Sequence, residues 1–509
     1  MTDFAVTAAR VATPGPFRPS NGSMGYSRVR RVLWVAGMAA VVMLSLPVAP
    51  RAVDGLLAGD EILSRPTDRS ITLKAIAGRP LSASVEWGTD AGTLDHATPT
   101  LHAEAGEPFE IVVPGLEPDT DYAYRLRLLP DGQPGPGELR PARLFHTQRL
   151  PGSTFTFVVQ ADPHDDENSS AAVYAQALQN ELADRPDFLV DLGDAAMTDK
   201  CVVGPTNPCV VERAAAYTQV ADRNALMRSF FAQVGHSLPL FMVLGNHEGE
   251  AGWVENGGPN NLSVWGRRAR KFFYANPEPD GFYTGNSRPD GLTGLRQNYY
   301  AFEWGDALFV VLDPFSDTMR KPTRMTDADM WNWTLGDEQY HWLESTLANS
   351  RARFKFVFSH HMVGGSGPEA RSGAAYAGTF EWGGRNLDGS WGFADRRPGW
   401  SKPIHQLFVD NHVSIWFHGH DHVYVAEQLD GVVYQEVPQP STRRYDGPDL
   451  AREYGYLGTM GVNAFPSPGH LRVTVQPTSV QVSYVRAVAP GDENARLHNG
   501  DVVTSYEVR

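Results

Sequence analysis

The sequence predicts a layered α/β domain preceded by a small all-β sandwich. Three observations carry this. Short runs of alternating apolar and polar residues, divided by Gly, Pro and Asp turns, fill 64–148. From about 153, apolar runs of strand length alternate with helical stretches, the signature of helices layered on a sheet. Five of those regions end in a short polar motif, which places a functional edge at the carboxyl ends of the strands.

At the amino end, 1–27 reads as a disordered leader. Arg28, Arg30 and Arg31 precede an apolar run from Val32 to Val48, broken by Pro47 and followed by Ala49, Pro50 and Ala52. A basic segment, an apolar segment and small residues together read as a secretory signal over 28–52. An uncleaved anchor is the alternative, although the run is short for a span. A start at Met24 would give that signal an ordinary basic head. Export fits the only two cysteines, Cys201 and Cys209, which close a short Pro- and Gly-containing loop and are expected to form a disulfide.

A linker is expected over 53–63. The all-β segment over 64–148 includes alternating runs at 70–75, 81–87 and 122–127. In the second domain, strands are expected at 155–160, 188–191, 240–244, 307–312, 354–358 and 413–417, with helices at 170–182, 214–234, 337–350 and 402–409. The stretch 249–306 lacks clear periodicity and reads as an insertion of functional loops. After 424, strands dominate. The domain is bounded at 153–488, with 489–509 as a carboxyl-terminal extension.

The five motifs are Asp162-Pro163-His164, Gly193-Asp194, Gly245-Asn246-His247-Glu248, His360-His361 and Gly419-His420-Asp421-His422. A single Asp-x-His or Gly-Asp is ordinarily a turn or a cap. Five in order, each after an apolar run, gather imidazole, carboxylate and amide donors at one edge without a thiolate. Such donors suit iron, manganese or zinc. Seven donors exceed the needs of one open catalytic site, so two ions are expected, with one carboxylate able to bridge them.

This ordered set resembles the calcineurin-like metallophosphoesterase superfamily over 153–488. With the leading sandwich, whose stretch 116–122 is similar to a corner in fibronectin type III domains, it looks like the purple acid phosphatase branch or a bacterial relative. The resemblance implies a metallophosphoesterase β-sandwich flanked by helices. It assigns Asp162, His164 and His422 to a first metal and Asn246, His360 and His420 to a second, with Asp194 bridging. His247 would act beside the metals as an acid or a transition-state stabiliser. A metal-bridging hydroxide would attack phosphorus in line with the leaving oxygen. Two departures from the purple enzymes follow. They have glycine where this chain has His164, and a metal-binding tyrosine where it has Met197, so no purple colour is expected. Their histidines beyond the fourth motif are replaced by Glu369 and Ala370.

The net charge of −15 argues against a nucleic-acid polymer as partner but not against a small phosphorylated substrate. No stable membrane insertion is expected once the signal is removed. Among 362–403, Arg385 and Trp382 are candidate contacts to phosphate and to an organic leaving group. Glu248 is expected either to orient His247 or to be solvated, His361 and Asp191 to be structural, His418 to face the sheet interior or flank, and Asp421 to face solvent or a backbone donor. A phosphomonoesterase is the leading reading, followed by a phosphodiesterase on the same site. A non-catalytic surface module ranks lower, because all seven donors are present.

Overall fold

A computed structural model describes residues 55–509, apart from 165, 167–168, 200–201, 205–206, 212–215, 446–448 and 457–462. The leader, the signal and Cys201 lie outside these residues. Cys209 lies on a strand, Asn207–Val211, whose side chains are not described.

The first domain is a sandwich of two antiparallel sheets. Ser70–Ile76 lies between Ile62–Ser64 and Pro108–Pro114, and Leu81–Gly88 pairs along its length with Asp121–Pro130. Alternate residues face inward, as the pleat requires: Ile71, Leu73 and Ala75 meet Leu81, Ala83 and Val85, with Tyr124, Leu126 and Leu128 closing the core. The expected linker over 53–63 is part of this domain, since Leu56 and Leu57 are buried and Leu57 bridges Ala77. At the corner over 116–122, the Tyr122 hydroxyl accepts the Glu117 N–H at 3.0 Å.

The second domain packs two mixed sheets face to face. The six-stranded sheet has Phe155–Gln160, Leu189–Asp191 and Leu240–Met242 in parallel and gains antiparallel strands from the carboxyl end. The eight-stranded sheet has Ala307–Val311, Phe354–Phe358, Ile415–His418 and Val432–Glu436 in parallel. Between them lies an aromatic core including Phe157, Phe188, Phe309, Phe356 and Phe417. Helices Ala171–Ala183 and Tyr217–Gly235 pack on the outer face of the first sheet, and Asp337–Asn349 and Ile404–Asp410 on the second. Strands covered on both faces are apolar save for Lys355, whose ammonium donates to the Leu347 carbonyl, which is why they read as near-continuous runs.

Two expectations are corrected. The insertion 249–306 contains the helix Leu262–Phe273 and the strand Tyr300–Trp304. Its apolar residues Leu262, Trp265, Ala269 and Phe273 recur at helical spacing, while Arg267 and Arg270 face inward to Glu255 and Glu250 rather than outward to water. The segment 489–509 is no free extension: Val502–Val508 pairs with Val480–Arg486 at the edge of the six-stranded sheet.

Register fixes the site. Gln160, Asp191 and Met242 stand abreast in one sheet, and Phe358 and Phe417 in the other. The loops that follow these residues, which carry all five motifs, therefore leave the sandwich at the same end.

Candidate metal centre

Side-chain donors converge there in two groups, Asp162 with His164 and His422, and Asp194 with His360 and His420. His422 Nε2 lies 3.4 Å and His164 Nε2 3.7 Å from Asp162 Oδ1. In the second group, His360 Nε2 lies 3.0 Å from Asp194 Oδ2, 3.1 Å from Asn246 Oδ1 and 3.2 Å from His420 Nδ1. Asp194 Oδ2 is also 4.0 Å from His164 Nε2, which sets it between the groups. Its other oxygen is taken by the His247 backbone N–H at 2.7 Å.

The remaining hydrogen bonds decide which atoms face inward. Leu192 carbonyl takes one nitrogen of His360, Glu369 carbonyl takes one of His420, and Asp166 takes one of His164. Each ring is thereby turned so that its second nitrogen presents a lone pair to the centre, an orientation metal-binding histidines need. Asp162 Oδ2 accepts the His420 N–H at 2.8 Å, while Asp162 Oδ1 and His164 Nε2 are buried without a hydrogen-bond partner. Buried polar atoms of this kind are costly unless a cation satisfies them. The donor set therefore fits two divalent or trivalent ions.

Electrostatics agree. Burial opposes ionisation of Asp162 and Asp194, yet the surrounding histidines outweigh it and hold both carboxyls well below the usual range. Burial likewise opposes charge on His164 and His360, but the carboxylates lift them to about 10 and about 9. Without metal, protons occupy the places of the cations, so metal binding should release them.

The loops are held in a demanding conformation. Asp162, His164, Asp194, His420 and His422 all have positive φ, which side chains other than glycine rarely adopt. Glycines allow the close approach: a Cβ on Gly245 would lie 2.2 Å from the Asp194 nitrogen, and one on Gly419 would lie 2.6 Å from Asp162 Oδ2. The Glu248 carboxylate accepts N–H groups from Gly245, Asp194, Ala195 and Ala196, tying two ligand loops together. It neither orients His247 nor meets solvent. His247 is oriented by Asp199, which accepts from Nδ1, leaving Nε2 at 3.7 Å from Asp194 Oδ2.

Around the centre, His361 packs edge-on to Phe315 and Trp333, and burial pushes it down to about 3. His418 stacks on Trp416 and pairs with Glu436. Asp191 accepts from Gln160 and Gly193. Asp421 is buried and meets no solvent; it accepts the Ser372 N–H, together with Arg371 and the Tyr456 hydroxyl. Trp382 is not available to a ligand. It is 1% exposed in the helix-side core, its ring against Trp416 and its Nε1 donating to Tyr434. Arg385 is exposed and donates to Gly389 within its own loop. Sequence reasoning missed Asp166, Asp199 and Arg371. Asp166 stands two residues after His164, a spacing that could have signalled it; Asp199 and Arg371 reach their partners only through the fold.

The calcineurin-like phosphoesterase model matches residues 155–424, more than half of the chain. The chain belongs to that family. It is a metal-dependent phosphoester hydrolase, and its substrates are small phosphorylated molecules. Two solved structures share its fold. A structure of PhoD aligns with a TM-score of 0.63 at 17% identity, covering 90% of this chain and 91% of that one. The purple acid phosphatase PPD1 from yellow lupin (Lupinus luteus) seeds aligns at 0.57 and 16% identity, covering 88% and 73%. No curated protein matches the chain in sequence. Among the described residues no helix is long and apolar enough to cross a membrane.

Proposed function

We propose that this phosphoesterase is an exported phosphomonoesterase with two ions, iron, manganese or zinc. Asp162, His164 and His422 would hold one ion, Asn246, His360 and His420 the other, and Asp194 would bridge them. The observation that carries this reading is the convergence of six imidazole and carboxylate donors in two adjoining groups, with Asp194 Oδ2 and Asp162 Oδ1 each within 4.0 Å of histidines from both. When bound, two such ions neutralise the phosphoryl oxygens and supply an acidified water as nucleophile.

The chain's own part is positioning and proton handling. Asp194 is aimed by the His247 N–H, so one oxygen stays turned to the centre. His247 is the candidate acid: Asp199 fixes its ring, and Nε2 can present a proton to the developing charge or the leaving oxygen. Met197, which stands where purple enzymes carry tyrosine, is fully buried and its carbonyl accepts from Arg223. A preparation without a visible charge-transfer band is expected. Export, the disulfide between Cys201 and Cys209 and the fibronectin type III character of the first domain belong to the same reading; the Tyr122 corner supports the last of these.

A phosphodiesterase is the second reading. It is favoured by a pocket of about 260 Å³ beside His164, lined also by Asp166, Ser170 and Ser441, which offers room for another substituent on phosphorus. Metal analysis with a matched aryl monoester and diester decides between them. Two ions per chain and faster monoester turnover are expected. Faster diester turnover overturns the monoesterase reading, and no turnover of either by two-metal protein overturns both.

A further inference from the structure

We propose that a cavity built on Arg443, Arg486 and Arg496 is a second anion site, which holds a phosphate carried on the leaving group of the substrate. The inference rests on the hydrolase reading above and names a substrate class for it.

The cavity has a volume of about 670 Å³, and its lining sets three guanidinium groups against one carboxylate, Asp492. That carboxylate is engaged: the Tyr445 hydroxyl donates to it at 2.9 Å, and Arg443 lies 3.7 Å away. Arg486 and Arg496 have no carboxylate partner among the described residues. In a chain of net charge −15, a local surplus of arginine runs against the general trend and concentrates anions. The guanidinium fork matches the paired oxygens of a phosphate.

Hydrogen bonds tie one wall of this cavity to the pocket beside His164. Arg443 Nε donates to Ser170 Oγ at 3.2 Å, and the Ser170 N–H donates to the Ser441 carbonyl at 2.6 Å. Ser170 and Ser441 line the same pocket as His164 and Asp166. Ser170 stands at the amino end of the 13-residue helix Ala171–Ala183, whose first turn has no acidic residue, so the pocket carries the positive end of that helix. A substrate with its reacting phosphate at the metals would lay its alcohol in this pocket, past Ser170, and a second phosphate on the alcohol would then reach Arg443 and the arginines beside it. An ester with an uncharged alcohol gains nothing there.

The test uses the full metal-loaded protein and the double variant Arg486→Gln/Arg496→Gln. Hexane-1,6-diol bisphosphate and hexyl phosphate differ only in the second phosphate, and phosphate release follows both. The double variant is expected to raise KM for the bisphosphate by roughly ten-fold, while that for hexyl phosphate moves less than about two-fold. The exposed single variant Arg496→Gln should shift the ratio in the same direction by less, which guards against a folding defect. Calorimetry on metal-free protein should show binding of inorganic pyrophosphate in the wild type that the double variant loses. Equal shifts for both esters, or none, overturn the assignment, as does unchanged pyrophosphate binding. Pyrophosphate binding lost with an unchanged KM ratio means a site for free phosphate, and also overturns it. If the wild type hydrolyses neither ester, the hydrolase reading falls, and calorimetry alone then decides whether the arginines bind phosphate.

Discussion

The two ligand groups are built from similar donors but held differently. In the second, His360 and His420 are each fixed by a backbone carbonyl, from Leu192 and Glu369, and all three of its charged or imidazole ligands are buried. In the first, His164 is fixed by the carboxylate of Asp166, and the His422 side chain is 22% exposed. A backbone carbonyl inside a folded loop is a fixed neutral acceptor, whereas the partly exposed His422 imidazole can be reached by water and by a chelator. The second group is thus the anchored half of the centre and the first the exchangeable half. Graded chelation should remove one ion per chain before the other, with the more buried ion leaving last.

Asp194 is the proposed bridge between the halves, so its loss should have the largest effect. Asp194→Asn keeps the shape and the hydrogen bond to the His247 N–H but removes the charge between the cations. Activity should fall below detection and metal content below two ions per chain; a variant retaining both ions and turnover would show that the halves are independent. His247→Ala comes next. Its side chain holds neither ion, so metal content should be unchanged while kcat falls by roughly 10²–10³. Asp199→Asn acts through His247 and should cost roughly ten-fold in kcat. Its pH–rate profile should be displaced as well, a change that mere loosening of the loop would not produce.

The anchored and exchangeable halves differ in how far the sequence revealed them. Every candidate ligand of both could be read, because each follows an apolar strand and lies in a short loop of fixed reach. Their grouping came from resemblance, and the geometry of the two clusters agrees with it. The supports were less legible. Carbonyl supports such as Leu192 and Glu369 have no side-chain signature at all, and Asp199 is joined to His247 only where two loops cross. The insertion helix was legible and was missed: Leu262, Trp265, Ala269 and Phe273 form an apolar stripe at helical spacing, although Arg267 and Arg270 on its other side are buried against Glu255 and Glu250. Trp382 misled in the opposite direction. An aromatic among glycines suggested a binding loop, but its indole nitrogen finds Tyr434 inside the core.

Asp166→Asn sharpens the comparison at a single half. It removes the charge behind His164 without altering the second group. The first ion should bind roughly 10–100-fold more weakly, and the second should be unaffected. Equal weakening of both ions would mean that the halves are coupled more tightly than their separate supports imply.

The smallest effect is expected at Glu369, and it tests the claim about backbone supports. This residue stands where purple enzymes place histidine, so a side-chain role would seem natural. Its carbonyl, not its carboxylate, holds His420, at 2.8 Å. The carboxylate pairs instead with Lys321 at the surface. Glu369→Ala keeps the carbonyl and removes only that exposed ion pair, worth about 0.2–1 kcal/mol of stability at low salt and less at high salt. Metal content should be unchanged and kcat should stay within about two-fold, as measured on metal-loaded protein, because the group that orients the ligand remains in place. Loss of the second ion in this variant would mean that the side chain, through Lys321, sets the loop. The anchored half would then depend on solvent-exposed charge, as the exchangeable half does.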